Sequence, residues 1–237
     1  MPSMTVQPRQ APSPNFDARR AGTAIDILML HYTGMLNAED ALDRLRDPAA
    51  KVSAHYLIDE DGTVYAMVAE GDRAWHAGVS YWAGETDVNG RAIGIEIVNP
   101  GHDLGYRDFP DPQMTAVIAL SQDILARHPI PPARVLGHSD VAPTRKQDPG
   151  ERFDWARLAA AGIGLYPPDG LAPRDPPAPE AFRKNLARFG YGFDGDGAGW
   201  AAVTAFRRHF RPDHLSGPVD GTDAARLAWL LEAAAGG

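Results

Sequence analysis

Cysteine is absent from the 237 residues of this chain. That gap excludes a disulfide scaffold, a CxxC zinc ribbon, an iron–sulfur cluster and a cysteine nucleophile. Any metal site must therefore use His, Asp or Glu. The absence does not choose a compartment, because a reduced cytosol and a disulfide-free periplasmic protein both permit it. An excess of basic charge is missing as well: 23 Lys and Arg against 31 Asp and Glu leave a net charge of −8. This argues against a nucleic-acid partner and against docking on an anionic membrane surface. No apolar run approaches the ~18 residues that would span a bilayer. The opening residues, from Met1 to Pro12, contain neither the apolar stretch of a secretion signal nor a lipobox cysteine. The expected location is the cytoplasm; a leader already removed would make it the periplasm instead.

What is present supports a folded chain. Hydrophobic residues make up 44% and charged residues 23%, enough for a sizeable core, and the length suits one to two domains at ~150 residues each. Gly (24) and Pro (21) are plentiful, which points to many turns and a linker. Residues 1–20 read as an arm or loop. Ile25–Leu30 is a run of strand length followed at once by His31. Asn37 is a candidate cap for a helix carrying Ala38, Ala41, Leu42 and Leu45, closed by Pro48. Two strand-like runs, His55–Ile58 and Thr63–Val68, are joined by Asp-Glu-Asp-Gly as a hairpin. Ala74–Tyr81 reads as a loop. Ile93–Val98 is the clearest strand, with Gly94, Glu96 and Val98 on one face. Asp111-Pro112 opens a helix that ends at Pro129. Arg134–Gly137 is a further strand, again followed by a histidine, His138. This order predicts an α/β fold: a mixed central β-sheet flanked by helices. Residues 167–179 (PPDGLAPRDPPAP) form a proline-rich, semi-rigid linker. Beyond it, 180–237 contain three short helical patterns, the third capped by Thr222, that form a small three-helix unit.

Three side chains suit a divalent metal. His31 and His138 each follow a strand, and Asp148 lies ten residues after His138 in a loop. Two imidazoles and one carboxylate, leaving one position open, is the ligand count of a catalytic zinc site. The alternative is two polar histidines at a sheet rim, since spacings of 107 and 10 residues make no regular metal pattern. Glu96 sits in an otherwise apolar strand. It is either a carboxylate on a solvated face or a buried general base with a raised pKa. Lys146 precedes Asp148 by two positions, so an extended segment points both the same way. It is either a surface lysine or an oxyanion partner.

The strings LHYTG (30–34), SAHYLIDEDG (53–62), AWHAG (74–78), IGIEIVN (93–99), GHSDVAPTRKQDPG (137–150) and FDWARLAAAGIG (153–164) together resemble the zinc-dependent N-acetylmuramoyl-L-alanine amidases of the AmpD/AmiD type, which share a fold with peptidoglycan recognition proteins. The resemblance runs in order from about residue 20 to 168. It implies a catalytic domain over 21–166 in which His31, His138 and Asp148 bind Zn2+, with Glu96 as proton carrier and Lys146 beside the oxyanion. It implies hydrolysis of the amide between N-acetylmuramic acid, in its 1,6-anhydro form, and L-alanine of a muropeptide, in peptidoglycan recycling. Two alternatives accompany it: an exported amidase of broader muropeptide or sacculus specificity, and a non-catalytic muropeptide-binding protein. Tyr32, Tyr56, Trp75, His76 and Asn99 lie in the matched motifs and are candidate substrate contacts, with packing or loop bracing as their alternative. His55 and His76 are not expected as ligands. His102, His128, His209 and His214 are expected at the surface. The 180–237 unit resembles a three-helix peptidoglycan-binding domain through LARFGYGFDG (186–195), AVTAFRRHF (202–210) and GPVDGTDAARLAWLL (217–231). It departs from that domain's pattern in carrying Phe206-Arg207 where an aromatic-Gln pair is usual. Asp194-Gly-Asp-Gly197 reads as a turn, because Ala205 occupies the place an EF-hand would need for its bidentate glutamate. The partner expected is a muropeptide or peptidoglycan fragment; the oligomeric state is left open.

Overall fold

A computed structural model describes residues 6–193 and 197–236. The expected mixed α/β architecture is present. The elements run β1 (Arg9–Gln10), β2 (Phe16–Ala18), β3 (Ile27–Tyr32), α1 (Ala38–Arg46), β4 (Tyr56–Ile58), β5 (Val64–Ala66), β6 (Asp72–Ala74), α2 (Val88–Arg91), β7 (Ala92–Ile97), α3 (Gly101–Leu104), α4 (Asp111–Arg127), β8 (Val135–Gly137), α5 (His138–Val141), α6 (Trp155–Ala160), α7 (Pro179–Phe189), α8 (Ala198–Phe210) and α9 (Gly221–Ala235). The main sheet has the order β1-β5-β4-β7-β3-β8, and β2 pairs with β6 separately. The β4–β5 hairpin is antiparallel, while β4, β7, β3 and β8 run parallel to one another. Parallel strands must be covered on both faces, and every residue of β7 is accordingly buried.

Side-chain alternation sends the two faces into different cores. Leu28 and Leu30 of β3, with Ile93, Ile95 and Ile97 of β7, pack under α4 and α6 against Met114, Val117, Ile124, Trp155 and Leu158. Ile27 and Met29 point the other way, joining Leu136 and Ala92 to Trp82 and to the helices α7, α8 and α9 through Phe182, Leu186, Phe206, Phe210 and Leu230. On that same face α1 covers β4 through Ala41, Leu45 and Leu57. The row continuing Ile27 and Met29 thus emerges between two apolar masses.

The C-terminal helices share one continuous core with the sheet. Trp82 is 1% exposed and meets Phe189 and Tyr191 edge-on, with ring centroids 5.8 and 5.0 Å away. Gly190 is required beneath it: its φ is +144° and a Cβ there would lie 2.5 Å from the indole. Burying such an aromatic contributes on the order of 2–3 kcal/mol. Arg207 is spent internally, donating to Asp223 at 2.6 Å and to the carbonyls of Ser216, Gly217 and Pro218. The proline-rich segment is tied to α9, with the Arg174 amide donating to the Gly221 carbonyl at 3.0 Å.

Several sequence expectations shift. His31 lies inside β3, because pairing with β7 continues to Tyr32. The stretch from residue 6 to 20 is no plain arm: β1 extends the sheet edge beside β5 and β2 pairs with β6. Both strands are exposed at every residue, so they have no apolar face to read and are defined by the partner edges they join. The helix at 111 has Pro110 in the cap position, and α9 is capped by Asp220, which accepts from the Thr222 and Asp223 amides. The turn expected at Asp194-Gly-Asp-Gly197 rests on residues 194–196, which lie outside the described residues. Among the described residues, no helix is long and apolar enough to cross a membrane.

Candidate metal centre and its cleft

His31 follows Ile27 and Met29 on one face of β3. β7 lies beside it in register, which places Glu96 directly across from His31. On the other flank β8 delivers His138 as the first residue of α5. The chain then turns back, and the Ser139 amide donates to the Asp148 carbonyl at 2.9 Å, bringing the Asp148 side chain into the same space. The Nδ1 atoms of His31 and His138 lie 3.0 Å apart, and Asp148 Oδ2 is 3.0 and 3.1 Å from them. All three residues are buried.

The protons can be assigned. His138 Nε2 is 2.9 Å from the Ala77 carbonyl, which only accepts, so Nε2 carries a hydrogen and Nδ1 is the ring nitrogen turned to the group. Burial, with His138 adding to it, lowers the pKa of His31 to about 4, so its ring is neutral. Burial alone would raise Asp148, but His138 and His31 outweigh it and hold the carboxyl below the usual range. Two imidazole nitrogens and a carboxylate oxygen converging in a buried space form a compact set of potential metal donors. Their separations are near the ~3.3 Å edge of a tetrahedron with metal–ligand bonds of ~2.0–2.1 Å. The donor set therefore fits a divalent metal with an open coordination position.

His76 lies behind this group, its Nδ1 3.0 Å from His31 Nε2. With His31 Nδ1 facing the metal position, Nε2–H donates to His76 and fixes the ring. Gly94 makes room for this arrangement, since a Cβ there would sit 2.6 Å from the His76 ring. Behind His76, His55 Nδ1 accepts from the Gly94 amide at 2.9 Å, and its Nε2 faces the Asp72 carbonyl at 3.2 Å.

A cleft of about 350 Å³ opens over the group, lined by His31, His76, Glu96, His138, Lys146 and Asp148, with Tyr32, Arg44 and Arg145 among the residues around them. A larger hollow of about 760 Å³ lies on the C-terminal helices beside Trp200 and Phe193, remote from this chemistry. Glu96 is buried, not on a solvated face, and its Oε2 has no hydrogen-bond partner. Burial and then Asp148 push its carboxyl well above the ordinary range, while Lys146 opposes them.

The softer candidates divide. Tyr32 and His76 line the cleft, Tyr32 with its hydroxyl 2.9 Å from His102 Nδ1. Tyr56, Trp75 and Asn99 do not. The Tyr56 hydroxyl donates to Glu70 at 2.8 Å, the Trp75 amide donates to Ser53 Oγ, and Asn99 is fully buried, donating to the Arg107 carbonyl. His209, expected at the surface, is 3% exposed and stacks on Trp155 at 3.7 Å. Its helix carries it into the core on the face with Phe206 and Phe210. Sequence reasoning missed Arg44 and Arg145 at the cleft and the bond from His76 to His31. Arg145 stood in a matched motif, and only the fold shows that its guanidinium reaches the Ala77 and Val79 carbonyls.

Residues 21–151 match the family model described as N-acetylmuramoyl-L-alanine amidase. The chain is 35% identical to N-acetylmuramoyl-L-alanine amidase AmiD of Escherichia coli, over 91% of this chain and 87% of that protein. It is 35% identical to 1,6-anhydro-N-acetylmuramyl-L-alanine amidase AmpD of Haemophilus influenzae, over 65% of this chain and 91% of that one. The solved complex of E. coli AmiD with anhydro-N-acetylmuramic acid-L-Ala-D-gamma-Glu-L-Lys superposes with a TM-score of 0.81 at 35% identity, covering 90% of this chain and 92% of that one.

Proposed function

The chain belongs to the N-acetylmuramoyl-L-alanine amidase family, and from that premise we propose that His31, His138 and Asp148 hold a catalytic zinc ion, with Glu96 and Lys146 working beside it. The protein is an amidase that hydrolyses the bond between N-acetylmuramic acid and L-alanine in muropeptides. Its substrate is the 1,6-anhydro form, the form named for its AmpD relatives and present in the AmiD complex. The observation that carries the metal reading is the convergence of two imidazole nitrogens and a carboxylate oxygen, all buried and within 3.1 Å of one another.

When bound, zinc supplies Lewis acidity to a carbonyl oxygen and acidifies water. The chain supplies the proton handling. Glu96 Oε2, buried and without a partner, takes a proton from the attacking water as the new C–O bond forms. It returns that proton to the alanine nitrogen as the C–N bond breaks, so the carboxylate is regenerated. Lys146 sets its ammonium at the same cleft, where it offsets the charge on the carbonyl oxygen of the tetrahedral intermediate. Tyr32 offers an aromatic face at the rim for the sugar or peptide. His76 holds the His31 ring in one orientation.

The reaction belongs to peptidoglycan recycling, and we place it in the cytoplasm, where imported anhydromuropeptides would be met; fractionation of cells expressing the full-length native gene tests the location. For the metal, chelation is expected to abolish hydrolysis and added zinc to restore it, with His138→Ala losing the ion. Full turnover in a sample verified free of metal would refute the metal reading.

A further inference from the structure

We propose that the C-terminal helical unit is part of the metal centre's positioning machinery: Tyr191 and His209 act through Asp140 to hold the turn that presents His138. This rests on the zinc reading above. Asp140 is fully buried, two residues beyond His138 in α5. Its Oδ1 accepts from the Tyr191 hydroxyl at 2.6 Å. Its Oδ2 accepts from His209 Nδ1 at 2.8 Å and from the Gly137 amide at 2.8 Å. Gly137 immediately precedes His138, so the carboxylate ties down the chain on both sides of the ligand.

The two side-chain donors come from outside the sheet. Tyr191 follows α7, and His209 lies in α8. Neither is free to move: Tyr191 is 1% exposed and packs on Trp82, while the His209 ring stacks at 3.7 Å on Trp155. A buried carboxylate is strongly unfavourable without donors. Removing them frees α5 to rotate in search of replacements, and His138 moves with it. Helix α8 also touches the segment on both sides of Asp148, where Arg208 donates to Gln147 Oε1 at 2.9 Å and sits 3.7 Å from Glu151. Two of the three ligand-bearing segments are therefore braced by α8. The third, His31, is held by the sheet itself.

Outer partners of metal ligands typically carry ~10–100-fold in metal affinity, and that range sets the expectation. The test uses the full chain and zinc itself, with affinity measured by competition against a chromophoric chelator and the site also read by the visible spectrum of its cobalt form. Tyr191→Phe removes one oxygen and keeps the ring's packing; a second variant, Tyr191→Phe with His209→Phe, removes both side-chain donors and keeps an aromatic ring at each place. Zinc affinity should fall about tenfold or more in the double variant, with a shifted cobalt spectrum, and His209→Asn, which retains a donor near Nδ1, should sit closer to wild type than His209→Phe. The control is Leu230→Ala, a cavity in the same core at a residue with no bond to α5. It should lower Tm while leaving zinc affinity and the cobalt spectrum unchanged. Wild-type zinc affinity in the double variant would overturn the brace, as would an equal affinity loss in Leu230→Ala at a matched drop in Tm. A wild-type chain that takes up no zinc would instead overturn the metal reading on which the brace depends.

Discussion

Glu96→Gln exchanges one oxygen for nitrogen in a side chain that is buried, lines the cleft and leaves Oε2 without a partner. The shape and rotamer survive; the capacity to take a proton does not. A positioned general base contributes ~10²–10⁴ in rate, so kcat should fall by that factor, about 3–5 kcal/mol in the barrier at 1.36 kcal/mol per tenfold. Because Glu96 is not one of the three converging ligand atoms, zinc stoichiometry should stay unchanged, and KM should move little. Stability supplies an independent check. Burial raises the folded-state pKa of Glu96, with Asp148 adding and Lys146 opposing. A carboxyl with a raised folded-state pKa binds its proton more tightly in the fold, so its contribution to stability declines as pH rises above the ordinary carboxylate range. Glutamine carries no such burden. Stripped of metal, the variant should therefore melt above stripped wild type at about pH 8, by ~2–4 °C for each 1 kcal/mol released, and the gap should close towards about pH 4. Peptide release from a defined anhydromuropeptide, zinc content and paired melts at the two pH values are the assays. Turnover within threefold of wild type at full zinc content would remove Glu96 from the chemistry.

Lys146→Met should keep zinc and lower kcat by ~10²–10³, the range for losing one oxyanion donor; an unchanged kcat at saturating substrate would place Lys146 outside the reaction. Gly94→Ala drives a Cβ to 2.6 Å from the His76 ring, so His31 loses its oriented partner and zinc affinity should fall ~10–100-fold, read by chelator competition. Glu70 accepts from Tyr56, Arg127 and His128 at 2.8, 2.7 and 2.8 Å. Burial would raise its carboxyl, but these bonds outweigh it and hold the pKa at about 2 instead of the ordinary 4.5. A depressed folded-state pKa stabilises above the unfolded value and loses that contribution as pH falls through the folded one. Glu70→Gln should thus cost about 1–2 kcal/mol at neutral pH after allowance for solvent screening, the difference shrinking between about pH 4.5 and 2 in urea titrations; a difference that grows as pH falls would contradict the assignment.

Much of the candidate site was legible in the linear chain because its members sit where local pattern is strong. β3 and β7 are short apolar runs whose composition announces a strand, and a histidine or glutamate in such a run stands out. The β4–β5 hairpin was readable from its turn, and α1 from Asn37, whose side chain accepts from the Asp40 amide at 2.9 Å. The strands β1 and β2 were not, because every residue of both is exposed and neither carries an apolar run; they are paired only through the edges of β5 and β6. Tyr56 and Asn99 shared motifs with true cleft residues, yet sequence proximity did not bring them to the cleft: Tyr56 turns to Glu70, and Asn99 braces the loop after β7.

By itself the sequence determined the fold class, the family and the donor types available for a metal. The fold class and the donor types follow from composition and periodicity, and the family from the resemblance carried by six motifs in order along the chain. The missing cysteines left only nitrogen and oxygen donors, and Asp148 is the oxygen donor the structure brings to the two imidazoles. The tertiary structure alone decided which side chains meet. His31 and Asp148 are 117 residues apart in the chain and 3.0 Å apart in space, and His209 reaches Asp140 across 69 residues. Whether Glu96 was solvated or buried, and whether the last helices stood apart or closed around the turn that carries His138, depended on what packed over each face of the sheet. Burial and long-range hydrogen bonding are set by the whole assembled core, so no local stretch of the chain encodes them.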